Sequence, residues 1–172
     1  MTREDFSHTL SEQGLRHATL DDLNNLATIE AASYPKAEGA SYDSIHDRLA
    51  VFSDYFWLLE DNEAVLAFIN GMATNQTDLT DDMYDDANLH NPAGDWFMIF
   101  SVVTNPDFRG KGYASQVMTR VIQDIKSQGK KGIVLTCKED LLGFYGKFGF
   151  INEGISSSEH GGVAWYQMRL TF

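Results

Sequence analysis

One segment limits the folds open to this chain more than any other. From Trp96 to Thr104 it reads WFMIFSVVT, almost wholly apolar, and a few residues on an amphipathic stripe begins. Ala114, Val117, Met118, Val121, Ile122 and Ile125 recur at i, i+3, i+4, i+7, i+8 and i+11, ahead of Gly129. The first pattern is a strand buried on both faces, hence central in its sheet, and the second is a helix packed along one side. Between them, Asn105-Pro-Asp-Phe-Arg109-Gly-Lys-Gly-Tyr-Ala-Ser115 has to turn the chain sharply. Gly110 and Gly112 permit such a turn and remove the Cβ atoms that would keep a ligand off the backbone. A helix that starts there points free N–H groups outward, and its dipole adds about half a positive charge. Arg109 and Lys111 add two cations. The guest this turn suits is a pyrophosphate. No G-x-x-x-x-G-K-[ST] run occurs, and a G-x-G-x-x-G reading finds Ser115 where its third glycine belongs.

Composition narrows the classes further. With 172 residues, 43% of them apolar, the chain is long enough for one substantial core and too apolar for disorder. We expect a tail over 1–14 and a single domain over 15–172. No run approaches the roughly 18–20 apolar residues of a membrane span, so no membrane partner is expected. The opening MTREDFSHTLSEQG lacks the apolar stretch of a secretory signal. One cysteine, Cys137, suits a reducing cytoplasm and excludes a zinc site built from several cysteines. With 13 Lys+Arg against 25 Asp+Glu, a formal charge of −12 leaves little for a nucleic-acid face. Acidity mostly means solubility, though an acidic surface also tolerates small cations such as amines.

Local patterns supply the remaining elements. Leu15–Thr19 reads as a short strand, and Thr19 as an N-cap with Asp22 three residues on, opening a helix that Pro35 and Gly39 close. A second helix is expected over Ser41–Ala50. Tyr55–Leu59 and Ala64–Asn70 read as a hairpin across Glu60-Asp61-Asn62-Glu63. Residues 74–94 are polar, with Asp78, Asp81, Asp82, Asp85 and Asp86, and read as a long loop holding at most a helical turn. Gly132–Cys137 is a buried strand, Leu141–Phe148 a short helix, and Phe150–Glu153 and Val163–Leu170 two closing strands. The order β-α-α-β-β-β-α-β-α-β-β describes an α/β chain with one mixed sheet and helices on its faces.

Arg109-x-x-Gly112-x-Ala114 also matches R/Q-x-x-G-x-G/A, and Phe144-Tyr145-Gly-Lys147-Phe-Gly149-Phe150 follows about thirty residues later. With both in place, the chain from about Leu15 to Leu170 resembles the GNAT acyltransferase superfamily. Within it the chain looks nearest to the arylalkylamine N-acetyltransferase-like branch, through the run from Cys137 to Phe150 and the final Gly161-Gly-Val-Ala-Trp-Tyr-Gln-Met. The resemblance implies a GNAT-type mixed sheet whose central strand pair splays apart, and acetyl-CoA as co-substrate. Val102, Val103 and Thr104 would meet the pantetheine arm, with the Val102 N–H near the thioester oxygen. Arg109, Gly110, Lys111, Gly112, Tyr113, Ala114 and Ser115 would line the pyrophosphate. Tyr145 matches the family's general acid, which protonates the departing thiolate. The implied reaction is direct attack by a small amine in a ternary complex, on a monomer or homodimer.

The resemblance breaks at one point. The arylalkylamine enzymes carry two histidines on the central strand to receive the amine's proton, and here Met98 and Phe100 stand there. An amine near pKa 10 is about a thousandth neutral at pH 7, a deficit of roughly 4 kcal/mol. Ser101 through a water chain, His160, Glu60 and Asp95 are the substitutes weighed. Cys137, on a buried strand, is expected to be inert. Met72, Phe97, Met98, Phe100 and Tyr84 form either an acceptor pocket or plain core, and the aspartate segment either a cap over the acceptor or a solvated loop. Without a base, the fold also accommodates a silent CoA-binding sensor. An acetyltransferase of protein amines is the remaining alternative.

Overall fold

A computed structural model describes residues 13–62, 64–158 and 160–172. Their elements run β1 (Gln13–His17), α1 (Leu23–Ser33), α2 (Tyr42–Phe52), β2 (Phe56–Asp61), β3 (Ala64–Thr74) and α3 (Asp81–Asp85). After these come β4 (Trp96–Thr104), α4 (Tyr113–Ser127), β5 (Gly132–Cys137), α5 (Leu142–Gly146), β6 (Ile151–Ile155) and β7 (Tyr166–Thr171). The expected order holds, with α3 as the helical turn of the aspartate segment. Residues 1–12 of the expected tail lie outside the described residues. Gln13 and Gly14 already pair with Asp61 and Glu60, so β1 starts before Leu15. It stops at His17 because Thr19 is committed to capping: its hydroxyl accepts from the Asp21 N–H, and Asp22 accepts from the Thr19 N–H.

The strands form one sheet in the order β1-β2-β3-β4-β5-β7-β6. Every neighbouring pair is antiparallel except β4–β5, which is parallel. In β2 the pleat splits the residues between two cores. Phe56 and Leu58 pack with Leu26, Ile29, Ile45 and Leu49 of α1 and α2, while Trp57 and Leu59 join the cluster that holds Val117, Val121 and Ile125 of α4. Helices therefore cover both faces, as the patterning implies.

The departure that matters lies inside β4. Trp96 through Ile99 are buried on both faces as expected, but from Phe100 onward burial alternates. On the β3 side, Asn70 opposes Ser101 and Gly71 opposes Ile99, so Phe100 is an extra residue, a β-bulge that bends the strand. On the other side, pairing with β5 covers only Trp96–Gly132, Phe97–Ile133 and Met98–Val134. Beyond that the two strands separate, which is the splay that the resemblance implies.

Gly71 makes the bulge possible. A Cβ on it would stand 2.0 Å from the Met98 carbonyl oxygen and 2.8 Å from the Phe97 ring. Backbone cannot yield as a side-chain tip can, so Gly71→Ala has to distort the β3–β4 ladder. We expect a loss of roughly 3 kcal/mol, read as a fall in melting temperature of roughly 6–12 °C. Gly14→Ala, where a Cβ meets nothing within 4 Å, should change stability by less than about 0.5 kcal/mol. Thermal melts followed by circular dichroism check both, and equal behaviour of the two would refute the close-approach argument.

Candidate active site

The separated strands leave a cavity of about 260 Å³ whose walls include Ile99–Val102 of β4 and Leu135–Cys137 of β5. Tyr34, Tyr84, Tyr145 and Trp165 close it on other sides. Which backbone groups of β4 face it follows from strand geometry. The Asn105 N–H donates to the Leu66 carbonyl at 2.9 Å, and residues of an antiparallel pair alternate in their direction of bonding. Val103 therefore faces β3, opposite Phe68, with its side chain in the α1–α2 core. Val102 and Thr104 turn their amides and carbonyls into the gap. The Tyr34 hydroxyl accordingly donates to the Val102 carbonyl at 3.1 Å, leaving the Val102 N–H facing the gap. The structure thus brings Val102 and Thr104 to the cavity side and sets Val103 behind them.

The turn after β4 is built as its glycines require. Asn105 accepts from the Asp107 N–H and donates to the Val65 carbonyl, which fixes a short helical turn at Pro106–Phe108. Gly110 and Gly112 then adopt φ of 80° and 76°, a left-handed backbone that side chains disfavour. A Cβ at either would meet no protein atom within 4 Å, so conformation rather than crowding demands glycine there. Gly112 is the N-cap of α4 and offers no side-chain cap. The first helical bond runs from the Gln116 N–H to the Gly112 carbonyl. Among the described residues, the amides of Gly110, Lys111, Gly112, Tyr113, Ala114 and Ser115 have no hydrogen-bond partner in the protein. Arg109 and Lys111 are exposed beside them. The cradle meets the requirements of a diphosphate: open main-chain donors, nearby cations and a helix N-terminus.

Tyr145 on α5 lies in the cavity wall, 6% exposed, with Phe144 edge-on at 5.0 Å and Phe150 at 6.0 Å. Burial holds its phenol well above the ordinary pKa of 10, so it stays protonated and able to donate. Phe148 packs against Phe144 and, with it, onto the core. Cys137 also reaches the cavity, but burial pushes its thiol up to about 11 and its Sγ rests 3.6 Å from Met168 Sδ. The thiolate that nucleophilic attack needs is suppressed there.

Of the apolar acceptor candidates, only Phe100 and Tyr84 line the cavity. Met72, Phe97 and Met98 are fully buried core. The substitute bases separate as well. Glu60 accepts from Arg16 at 2.9 Å on the far edge of the sheet, and Asp95 faces Lys131 at 3.5 Å. The side chain of His160 lies outside the described residues. Among the described side chains of this set, Ser101 alone borders the cavity, and its hydroxyl accepts from Asn70 Nδ2 at 2.6 Å.

Two charged residues that sequence reasoning missed lie behind Ser101. Arg48 of α2, 3% exposed, donates to Asn70 Oδ1 at 3.0 Å and to the Tyr84 carbonyl at 3.1 Å, with its guanidinium 4.6 Å from the Phe100 ring centroid. Glu30 of α1, 2% exposed, lines the cavity and accepts the Ala40 N–H at 2.9 Å. A signal for them existed. Leu23, Leu26 and Glu30 share one face of α1, as Ile45, Arg48, Leu49 and Phe52 do on α2, so each charge occupies a core position.

The aspartate segment is fastened rather than loose. Leu79 and Met83 are buried, Asp78 accepts from Arg169 at 2.9 Å, and Ser158 donates to Asp81 at 2.7 Å. Behind it, the Lys130 ammonium donates to the Pro92 and Gly94 carbonyls at 2.9 and 2.6 Å. Tyr84 of the same segment enters the cavity wall, its hydroxyl 3.2 Å from that of Thr136.

Comparison with known proteins agrees with this architecture. The model of the acetyltransferase (GNAT) family matches residues 20–150. The serotonin N-acetyltransferase of Mesocricetus auratus is 25% identical over 166 residues, covering 94% of this chain and 79% of that protein. The loading GNATL domain of CurA from Lyngbya majuscula superposes with a TM-score of 0.80 at 14% identity, covering 92% of this chain and 97% of that one. Arabidopsis thaliana Naa50, in complex with the bisubstrate analogue CoA-Ac-MVNAL, gives 0.72 at 17% identity, covering 94% and 99%. The family match runs through the glycine turn and Tyr145 alike, and the chain belongs to the GNAT family of acetyltransferases.

Proposed function

We propose that this GNAT acetyltransferase moves an acetyl group from acetyl-CoA to the primary amine of a small molecule, both substrates being bound together. The observation that carries the reading is the run from β4 into α4, with a β4 edge free of a strand partner at Val102 and Thr104 and bare amides at Gly110–Ser115, leading from a cavity that Val102 and Tyr145 border. The bound co-substrate supplies an activated thioester. Gly110, Lys111, Gly112, Tyr113, Ala114 and Ser115 would hold its diphosphate, with Arg109 adding charge. The Val102 and Thr104 backbone would pair with the pantetheine amides, and the Val102 N–H would stabilise negative charge building on the thioester oxygen. Val103 contributes from behind, by anchoring this edge to β3. Tyr145 would return a proton to the leaving sulfur.

The shape of the cavity supports a compact acceptor. Tyr34, Tyr84, Phe100 and Trp165 wall it with rings, and the Lys138 ammonium meets Glu38 at 2.7 Å at its border. Aromatic walls suit an amine with an apolar body. Naa50 was solved with an analogue carrying a peptide, so peptide N-termini are the comparison class for acceptors.

The direct test is release of free thiol from acetyl-CoA across a panel of primary amines and short peptides. Turnover with compact arylalkyl or alkyl amines supports the reading, and binding of acetyl-CoA without release by any acceptor would favour the sensor instead. Tyr145→Phe should lower kcat by about 100-fold while the Kd for acetyl-CoA stays within about twofold. Because the phenol titrates well above 10, wild-type kcat should show no alkaline decline from loss of this acid below pH 10. An unchanged kcat in the variant would remove Tyr145 from the chemistry. Gly112→Ala places a side chain on a left-handed backbone within the diphosphate cradle. It should raise the Kd for acetyl-CoA about tenfold by calorimetry, and an unchanged Kd would count against the cradle.

A further inference from the structure

Proton removal from the acceptor has no agent in the residues assigned so far, because Met98 and Phe100 of β4 cannot accept a proton. We infer that Glu30 is the catalytic base: its carboxylate takes the proton of the incoming ammonium at the junction of two cavities. The assignment rests on the acetyltransferase reading above and names the residue that reading lacks.

The geometry is specific. A second cavity, of about 140 Å³, shares Glu30, Glu38, Tyr84 and Phe100 with the first. Glu30 therefore stands where the space behind β4 opens toward the α1–α2 connection. Its two oxygens are used unequally. Oε2 accepts the Ala40 N–H and so latches that connection, whereas Oε1 is buried and makes no hydrogen bond of normal geometry, the Ser101 hydroxyl standing near enough only to favour the carboxylate's charge. A buried carboxylate oxygen without a donor is costly, and an ammonium is the ligand that relieves it.

Opposing influences act on the carboxylate. Burial raises its pKa, opposed by the Ala40 N–H, the Arg48 charge and the Ser101 hydroxyl. Ionisable groups that line these two cavities with it include Arg48 from α2, Tyr84 and Asp85 from α3, Tyr34 and Glu38 from its own side, and Tyr145 from α5. Burial keeps all three phenols above their ordinary pKa, Tyr84 at about 12, so none of them competes as a base near neutrality. Ser101, Asn70 and Arg48 form a chain of contacts behind the carboxylate and act as positioning residues.

The protons balance. An ammonium loses two protons on becoming an amide. Glu30 takes the first, which frees the nitrogen lone pair. As the C–N bond forms and the C–S bond breaks, Tyr145 gives its proton to the sulfur and regains one from the nitrogen. Glu30 then passes its proton to water.

Glu30→Gln tests this, because the glutamine oxygen still accepts the Ala40 N–H. The probes are the fastest primary alkylamine of the panel and its β,β-difluoro analogue, whose ammonium is about three pKa units more acidic, so that its neutral fraction near pH 7 is larger by a factor on the order of hundreds. At that pH, E30Q should lower kcat/KM for the parent amine by about 100-fold or more and for the fluorinated amine by less than about fivefold. The calorimetric Kd for acetyl-CoA should not move. E30D, which keeps a carboxylate, should recover part of the lost rate on the parent amine and serves if E30Q melts early. Equal slowing of both amines, or no slowing, would overturn the assignment. Wild-type protein that binds no acetyl-CoA, or turns over no amine, would instead overturn the acetyltransferase reading and this role with it.

Discussion

The site depends on one backbone event, the extra residue that β4 carries at Phe100. Opposite it, Gly71 lets β3 lie closer than any side chain would permit. The bulge bends β4 just where its parallel partner would have continued, so the ladder to β5 stops at Met98–Val134. The candidate site lies beyond that point. The unpaired edge, the cavity and the turn that begins α4 occupy the stretch that an unbroken parallel ladder would have sealed. The cost is a row of backbone groups without strand partners, and the protein meets part of it by spending the Tyr34 hydroxyl on Val102.

Behind that edge the interior is polar in a way its size does not require. Glu30, Arg48, Asn70 and Ser101 are all nearly inaccessible, yet they sit between two helices and the central strands. Groups of this kind weaken a core unless each finds a partner. Arg48 satisfies its terminal nitrogens on Asn70 and Tyr84 and lays its plane over Phe100, while its Nε has no acceptor. Apolar residues of similar volume would fill the same space at lower cost. That the chain keeps charges there points to the chemistry of the adjoining cavity rather than to stability.

Much of this was legible beforehand, and the boundary is physical. The limits of β4 and β5 could be read to the residue because both are short apolar runs bounded by turn residues. The helix α4 was equally plain, since its stripe has a single period. The glycine turn and Phe144-Tyr145 could be read because each is local in sequence. The bulge could not, because it arises from how two strands meet. Glu30 and Arg48 were hidden for a related reason. Each lies within an otherwise ordinary amphipathic helix, where a charge suggests the wet face until the register of the stripe is counted. Asn70, inside the run AVLAFINGMA, gave the same warning in a strand. The division of Val102 from Val103 needed the hydrogen-bond parity that only the paired sheet supplies.

The fastening of the aspartate segment has a consequence for selectivity. Held by Arg169 and Ser158, with the buried Lys130 fastening its far end, that wall draws its contacts from the protein itself. A pocket made this way works as a gauge rather than a clamp. Discrimination among acceptors would then reside in the resting dimensions of the slot, and passage into it would be governed by diffusion through a fixed aperture instead of by the opening and closing of a gate.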